Sequence, residues 1–178
     1  MKLAHVNIGT NLGDRAELIG RAVGLLGEVV GRVCAVSAPV ESEAWGYESP
    51  NRYLNVGVNV ATELDAELLV GRLQAIERCI DPCGTHRDAA GGYADRMIDL
   101  DLICLDGETV DSPTATVPHP RMHLRPFVLV PMAEILPQWR HPLLGLTAAE
   151  LLAKTCNNIG GKNVEIRKHD PKSMLNQI

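Results

Sequence analysis

The first half of the chain alternates between strand-like and helix-like hydrophobic patterns. Residues 3 to 9 predict a first strand that ends at Gly9 and the turn-forming run TNLG. Asp14, with Glu17 three residues later, predicts a capping box at the start of a helix. The apolar stripe of that helix consists of Leu18, Ala22, Leu25, Leu26 and Val29.

Two more strands and a second helix are predicted next. Residues 32 to 41 predict a strand, and the Gly- and Pro-containing run SEAWGYESPNR after it predicts a loop over 42 to 52. The run YLNVGVNVAT alternates, which predicts a strand whose valine side faces the core. Asp65 is placed to cap a second helix that stops near Pro82. Its apolar stripe is Leu69, Leu73, Ile76 and Ile80.

The second half begins with a Gly-containing loop over 84 to 95, followed by a strand and a predicted hairpin turn at Asp106-Gly107. A Pro-broken connection leads to helices near 127 to 135 and 147 to 155, and 160 to 178 is expected to be a peripheral tail. The order βαββαβ predicts one α+β domain over 1 to 178, a ferredoxin-like sandwich with helices on one side of an antiparallel sheet and additional C-terminal helices.

Composition narrows the class of partner. At 178 residues with 46% hydrophobic residues, the chain can form one domain with a sizeable core. A net charge of -5 argues against a nucleic-acid or anionic-membrane partner. No apolar run reaches the roughly 20 residues of a membrane span, and the apolar run at the N-terminus is too short for a signal peptide. We therefore expect a cytoplasmic protein, and separately we expect a monomer.

The five cysteines are scattered and odd in number, which is not typical of a disulfide framework. Cys79 and Cys83 could share a helix face and, with His86, form a metal site, but Pro82 disturbs that helix and no fourth ligand lies nearby. Buried or loop thiols are the simpler interpretation.

The run DRMIDLDLICLDG contains an aspartate pair inside a hydrophobic strand. Strand periodicity places Asp99 and Asp101 on one face and Ile98, Leu100 and Leu102 on the other. The aspartates could simply face water from an edge strand. Two close carboxylates also repel each other, however, unless a cation or a guanidinium lies between them.

The surrounding residues favour a functional interpretation. Arg96 precedes the pair, and His119, Arg121, His123 and Arg125 follow it within ten residues of one another. Carboxylates can hold Mg²⁺ while arginines hold phosphate, and no GxxxxGK[ST] loop is present. His119 and His123 could instead bind zinc, although the prolines around them disfavour the helix that would align them.

Aromatic residues are only 3% of the chain. Tyr53 lies on the open face of its strand, Phe127 follows Arg125, and Trp45 lies in the preceding loop. Ordinary packing would explain Phe127 alone. A pair of rings could also clamp a flat heterocycle, with Asn55 supplying a donor and an acceptor to its edge.

These motifs together resemble the 6-hydroxymethyl-7,8-dihydropterin pyrophosphokinase family over about residues 2 to 158. The matching runs are VNIGTNLGD, YLNVGVNV, QAIE, DRMIDLDLICLDG and VPHPRMHLRPFVLVPMAEI. The resemblance implies pyrophosphoryl transfer from ATP, the co-substrate, to the hydroxymethyl group of the pterin, giving AMP and a pterin diphosphate in folate biosynthesis. In-line attack on the β-phosphorus is expected, with no general base assigned.

The resemblance also implies roles for particular residues. Asp99 and Asp101 match the pair that binds two Mg²⁺ ions, and together with Arg96 they form the catalytic set. The residues implied to bind ATP are Gln74, Glu77, Arg87, Arg96, Leu102, Thr116, His119 and Arg125. Those implied to bind the pterin are Ser42, Trp45, Tyr53, Asn55 and Phe127. Two other functions remain open at this point: a non-catalytic metal or ligand sensor, and a Mg²⁺-dependent phosphohydrolase.

Overall fold

The computed structural model describes residues 1–84 and 94–158, together with a short strand at Arg167–Lys168. The prediction of a peripheral tail falls largely outside these residues, as does Arg87. The strands are β1 (Lys2–Thr10), β2 (Arg32–Val36), β3 (Val40–Ser42), β4 (Tyr53–Thr62), β5 (Asp99–Leu105), β6 (Val110–Asp111), β7 (Thr116–Val117) and β8 (Arg167–Lys168). The helices are α1 (Arg15–Val29), α2 (Ala66–Ile80), α3 (Pro126–Ile135) and α4 (Ala148–Asn158), and a 3-10 turn spans Met122–Leu124.

The main sheet is antiparallel and has the order β5-β1-β4-β3-β8, with β2 also pairing with β4. The predicted strand over 32 to 41 is in fact two strands, because the chain leaves the sheet between Val36 and Val40. Ser42 is therefore the last residue of β3 and not a loop residue. The architecture is α+β, as predicted, and β5 forms one edge of the sheet.

Both predicted capping residues start their helices. The Asp14 side chain accepts a hydrogen bond from the Glu17 amide, and the Asp65 side chain accepts one from the Leu68 amide. The predicted stripe of α2 is buried. In α1, Ile19 is buried in place of Val29, which is 41% exposed, because Val29 lies at the last turn and turns away from the sheet.

The helices cover both faces of the sheet, so the prediction of helices on one side is wrong. Helices α1 and α2 pack on the face formed by Ala4, Val6, Ile8 and the valines of β4. The opposite face of β4 is covered by α3: Asn59 Nδ2 donates to the Ile135 carbonyl at 3.1 Å. The polar face of β4 is consequently buried, with Asn55 and Asn59 only 2% and 4% exposed.

The chain turns at Asp106-Gly107, where Asp106 has a φ of 44°. This turn does not form the predicted hairpin with β5, because β6 pairs with β7 in a separate two-stranded sheet. No helix in the described parts of the chain is long and apolar enough to cross a membrane.

Candidate active site

The aspartate pair lies at the exposed edge of the sheet, and an arginine neutralises each member. Arg96 Nη1 donates to Asp99 Oδ1 at 2.9 Å, and Arg125 Nη1 donates to Asp101 Oδ2 at 3.1 Å. The aspartate side chains are 30% and 33% exposed. The predicted face is thus correct, and guanidinium groups balance the two carboxylates while leaving them accessible.

Two cavities meet at this pair. The aromatic cavity, as we name it, has a volume of about 150 Å³ and is bounded by Trp45, Tyr53, Asn55 and Phe127. The helix-side cavity, about 460 Å³, lies against α2 and is bounded by residues of α2, β5 and β7. The residues that line both cavities are Arg96, Asp99, Asp101 and His119. A ligand in either cavity would therefore reach the same carboxylates.

The aromatic cavity contains rings that can contact a flat ligand. Trp45 and Phe127 have their ring centroids 5.9 Å apart at an interplanar angle of 60°. The guanidinium carbon of Arg125 lies 5.8 Å from the Phe127 centroid. Tyr53 enters the cavity from β4, two residues before Asn55, so both side chains project from the same strand face.

Asn55 is held by its amide nitrogen. That nitrogen donates to Ser42 Oγ at 3.1 Å, which fixes the direction of the amide group. The Asn55 Oδ1 oxygen lies close to Gly9, where an added Cβ would approach it to 3.2 Å. Gly9 therefore keeps open the space beside a buried hydrogen-bond acceptor.

Glu77 links the helix-side cavity to the aspartate strand. Its Oε1 accepts a hydrogen bond from the Leu100 amide at 2.7 Å, so α2 contacts β5 directly between the two aspartates. Burial, together with the neighbouring charges of Asp99 and Asp101, outweighs the opposing effect of the Leu100 hydrogen bond and raises the pKa of Glu77 to about 7. A cation bound at the aspartate pair would therefore act to lower the pKa of Glu77.

The side chains of His119 and Arg125 lie next to each other. His119 Nδ1 accepts from the Arg121 amide at 3.1 Å, so a neutral ring carries its proton on Nε2. That Nε2 lies 3.3 Å from Arg125 Nη1, which is also a donor. Burial, followed by the charges of Arg125 and Arg121, lowers the pKa of His119 to about 4 and keeps the ring neutral. Two adjacent donors favour an anionic ligand.

His123 does not join His119. It lies beside Leu124 and Lys154 in a separate, mostly apolar cavity. Among residues 1–84 and 94–158, no cluster of three or more His, Cys, Asp or Glu side chains is arranged to hold a metal by itself. The five cysteines are free, and Cys104 is the buried one.

The structure brings together nearly all the residues that the sequence singled out. The helix-side cavity contains Gln74, Glu77, Leu102 and Thr116 in addition to the shared residues. The aromatic cavity contains Ser42, Trp45, Tyr53, Asn55, Phe127 and Arg125. The sequence did not assign several lining residues to the site, among them Asn7, Gly9, Glu43 and Tyr47 of the aromatic cavity. Leu73, predicted only as part of the apolar stripe of α2, also lines the helix-side cavity.

Asn7 illustrates why some residues were missed. It pairs in register with Asp101 on β5 and with Gly57 on β4. Its Oδ1 oxygen is buried next to the aspartates and has no hydrogen-bond partner among the residues that the structure describes. The signal available in the sequence was the polar alternation of His5, Asn7 and Gly9 along β1, which parallels that of β4.

A family model described as 7,8-dihydro-6-hydroxymethylpterin-pyrophosphokinase matches residues 5–137. A 2-amino-4-hydroxy-6-hydroxymethyldihydropteridine pyrophosphokinase of Porphyromonas gingivalis is 38% identical over 143 residues, covering 80% of this chain and 95% of that protein. The protein of the same name from Bacillus subtilis is 36% identical over 137 residues, covering 76% of this chain and 79% of its own length.

Solved structures agree on the fold. A crystal structure titled as HPPK-DHPS in complex with substrates superposes with a TM-score of 0.70 at 12% identity and covers 94% of this chain. An HPPK-DHPS triple mutant of Plasmodium falciparum superposes with a TM-score of 0.71 at 14% identity over the same share of the chain. This chain spans less than half of those longer chains, 46% and 45% respectively.

Proposed function

The chain belongs to the 7,8-dihydro-6-hydroxymethylpterin-pyrophosphokinase family, and we propose that it performs this chemistry where the aromatic and helix-side cavities meet. It transfers the pyrophosphoryl group of ATP to the hydroxymethyl oxygen of 6-hydroxymethyl-7,8-dihydropterin. The products are AMP and the pterin diphosphate, and the reaction is a step of folate biosynthesis. The observation that carries the assignment is that two cavities of different chemistry share one pair of carboxylates.

The aromatic cavity is the proposed pterin site. A pterin is flat and has donors and acceptors along its edge, which suits aromatic faces combined with an oriented amide. Tyr53 and Phe127 supply faces, and Asn55, held by Ser42, supplies the edge contact. Trp45 closes the cavity next to Phe127.

The helix-side cavity is the proposed ATP site. Leu102 and Thr116 surround the adenine, and Gln74 and Glu77 face the nucleotide from α2. The triphosphate would then extend toward the aspartate pair, where Arg96 and His119 line both cavities and Arg125 lies against Asp101. Arg87 is proposed as a further phosphate ligand from the family resemblance alone.

The residues at the pair fit Mg²⁺. The two partly exposed carboxylates on one strand face are hard oxygen donors, and magnesium in phosphoryl-transfer enzymes is commonly held by one or two carboxylates together with water and substrate phosphates. A closed cage of protein ligands is therefore not required. We propose that Asp99 and Asp101 hold two ions, whose contribution is to neutralise phosphate charge.

Catalysis then depends on positioning and electrostatics. Arg96 and Arg125, released from or shared with their aspartate partners, balance charge that accumulates on the transferred group. The two cavities share the aspartate pair, so the pterin oxygen and the β-phosphorus would be held close together there for in-line attack. No side chain is assigned as a general base.

The test is product analysis. The protein is incubated with ATP, Mg²⁺ and the pterin alcohol, and nucleotides are separated by chromatography. The proposal predicts AMP and pterin diphosphate in equal amounts, and no AMP when the pterin is omitted. Release of ADP or phosphate without pterin would instead identify a phosphohydrolase, and binding without turnover would identify a sensor.

Four broader expectations remain predictions. The strand order β5-β1-β4 followed by β2 and β3 supports the description of the sheet as ferredoxin-like. The single-domain organisation over 1 to 178 and the monomeric state stay predictions, and so does a cytoplasmic location.

A further inference from the structure

The Asp95 carboxylate gathers side chains from two loops beside the aromatic cavity. Its Oδ1 accepts from Asn11 Nδ2 at 2.7 Å and from the Tyr47 hydroxyl at 3.0 Å, and its Oδ2 accepts from Asn51 Nδ2 at 2.6 Å. Asn11 follows β1, whereas Tyr47 and Asn51 lie between β3 and β4. The carboxylate of Asp95, the residue directly before Arg96, thus binds side chains from both loops.

The same network reaches two residues of the proposed site. The Tyr47 and Tyr53 hydroxyl oxygens are 2.8 Å apart. An ionised carboxylate can only accept, so the Tyr47 proton points to Asp95 and the Tyr53 hydroxyl must donate to Tyr47. The Tyr53 oxygen is then left to accept from the Arg96 side chain, an interaction that lowers the Tyr53 pKa against burial.

Asn11 fixes the other side of Arg96. The Asn11 Oδ1 oxygen accepts from the backbone amide of Arg96 at 2.8 Å, and the backbone amide of Asn11 donates to the Arg96 carbonyl at 3.2 Å. The backbone of Arg96 is therefore held through Asn11, and its side chain lies between Tyr53 and Asp99. Asp95, Tyr47, Tyr53 and Arg96 form a closed ring of interactions.

The protonation states support this direction of donation. Burial acts to raise the pKa of Asp95, but hydrogen bonds from Ser49, Asn51, Asn11 and Tyr47 outweigh it and lower the pKa to about 2. Burial raises the pKa of Tyr47. Asp95 is ionised and Tyr47 is protonated at every pH at which the enzyme would be assayed.

We propose that Asp95 is a positioning residue for the pyrophosphoryl transfer, acting through Tyr47 and Asn11 to fix Tyr53 and Arg96 where the two cavities meet. The inference rests on the proposed function, because Tyr53 and Arg96 matter only if a pterin and a triphosphate bind there. Asp95 touches neither substrate in this account. Its effect is on the arrangement of the groups that do.

The test is a reciprocal exchange of two side chains. In Asp95→Asn, Tyr47 and Asn11 lose a charged acceptor, and the new amide nitrogen faces Asn51 Nδ2, so the Asn51 side-chain amide must turn over before the two residues can pair again. We expect kcat/KM for the pterin to fall about tenfold or more, since a hydrogen bond to a charged group is lost. Asn51→Asp alone should also lower activity, because it places two carboxylates together.

The double variant Asp95→Asn/Asn51→Asp restores a donor opposite an acceptor between residues 95 and 51 but leaves Tyr47 with a neutral acceptor, so it should recover only part of the kcat/KM lost in Asp95→Asn. Glu28→Gln, which neutralises an exposed carboxylate on α1, is the matched control and should leave activity unchanged. Tyr47→Phe, which removes only the hydroxyl, should give a smaller loss than Asp95→Asn. Unfolding midpoints are measured for every variant, and hydrogen exchange is followed over residues 42 to 52.

Several outcomes would overturn the inference. Wild-type kinetics in Asp95→Asn, a double variant no better than the single variants, or a loss of activity that merely follows the unfolded fraction would each do so. Faster exchange over 42 to 52 in Asp95→Asn supports the network independently of turnover. Absence of AMP from the wild-type protein would refute the proposed function itself, and the positioning role with it.

Discussion

Replacing Glu77 with glutamine should stabilise the free protein while weakening nucleotide binding. Burial is the main reason that the Glu77 pKa is raised to about 7, and the charges of Asp99 and Asp101 add to it. Glutamine keeps an oxygen that can accept from the Leu100 amide, a contact of 2.7 Å in the wild type. The substitution therefore removes a charge that the folded state disfavours and preserves the packing between α2 and β5.

The size of the effect follows from the shift. A carboxyl whose pKa rises from 4.5 to about 7 on folding opposes folding, when fully ionised, by about 3 kcal/mol, at about 1.4 kcal/mol for each tenfold change. Because Glu77 is only partly buried, solvent screening should reduce this to about 2 kcal/mol. The folded state favours the protonated form of Glu77. The stability that this preference contributes is therefore fully present below pH 4.5 and is lost as the pH rises to about 7.

The assay is urea unfolding in EDTA at pH 5 and pH 8. The Glu77→Gln variant should exceed wild type by about 2 kcal/mol at pH 8 and by less than about 1 kcal/mol at pH 5. Its affinity for a non-hydrolysable ATP analogue should fall, since Glu77 lines the helix-side cavity. Glu28→Gln controls for the loss of one negative charge. A difference that does not change with pH, or a less stable variant at pH 8, would refute the reasoning.

Three further predictions concern the metal site, the aromatic cavity and the buried face of the sheet. Asp101→Ala should abolish AMP formation with the fold intact, and near-normal activity would contradict the metal assignment. Phe127→Ala should weaken pterin binding about tenfold or more in a fluorescence titration while sparing the ATP analogue, so equal losses would argue against stacking. Burial lowers the pKa of His5 to about 4, so stability should fall as the pH drops from about 6.5 to 4, and His5→Gln should remove about 2 kcal/mol of the difference in unfolding free energy between pH 8 and pH 5. An unchanged difference in that variant would contradict it.

Local patterns were enough to predict the elements on the face of the sheet that α1 and α2 cover. The Asp14 and Asp65 caps and the valine side of β4 are all local signals, and the structure confirms them. The stripe of α1 was misassigned at Val29 because helical periodicity alone does not specify how far the sheet extends beneath the last turn.

The second covered face could not be predicted in the same way. Asn55 and Asn59 look like solvent-facing residues of an alternating strand, yet both are buried, Asn55 beside Ser42 and Asn59 against α3, which lies more than 65 residues later in the chain. The Asn59 side chain is satisfied there by His5 Nδ1 at 2.7 Å and by the Ile135 carbonyl. These partners are non-local, so polarity along β4 carried no sign of them.

The candidate site shows the same division. The Asp-x-Asp strand and its neighbouring arginines were visible from spacing, whereas assignment of most lining residues depended on the family resemblance. Asn7 and Asp95 escaped both routes. Asn7 is defined by its register with Asp101, and Asp95 by loop contacts that no periodicity encodes.

The most direct test of the account is a crystal structure with Mn²⁺, a non-hydrolysable ATP analogue and the pterin. Anomalous scattering would locate the metals. The account predicts peaks bound by the Asp99 and Asp101 carboxylates, with the triphosphate between the adenine in the helix-side cavity and the pterin in the aromatic cavity. Carboxylates facing bulk solvent, with the nucleotide and metal bound elsewhere, would contradict it.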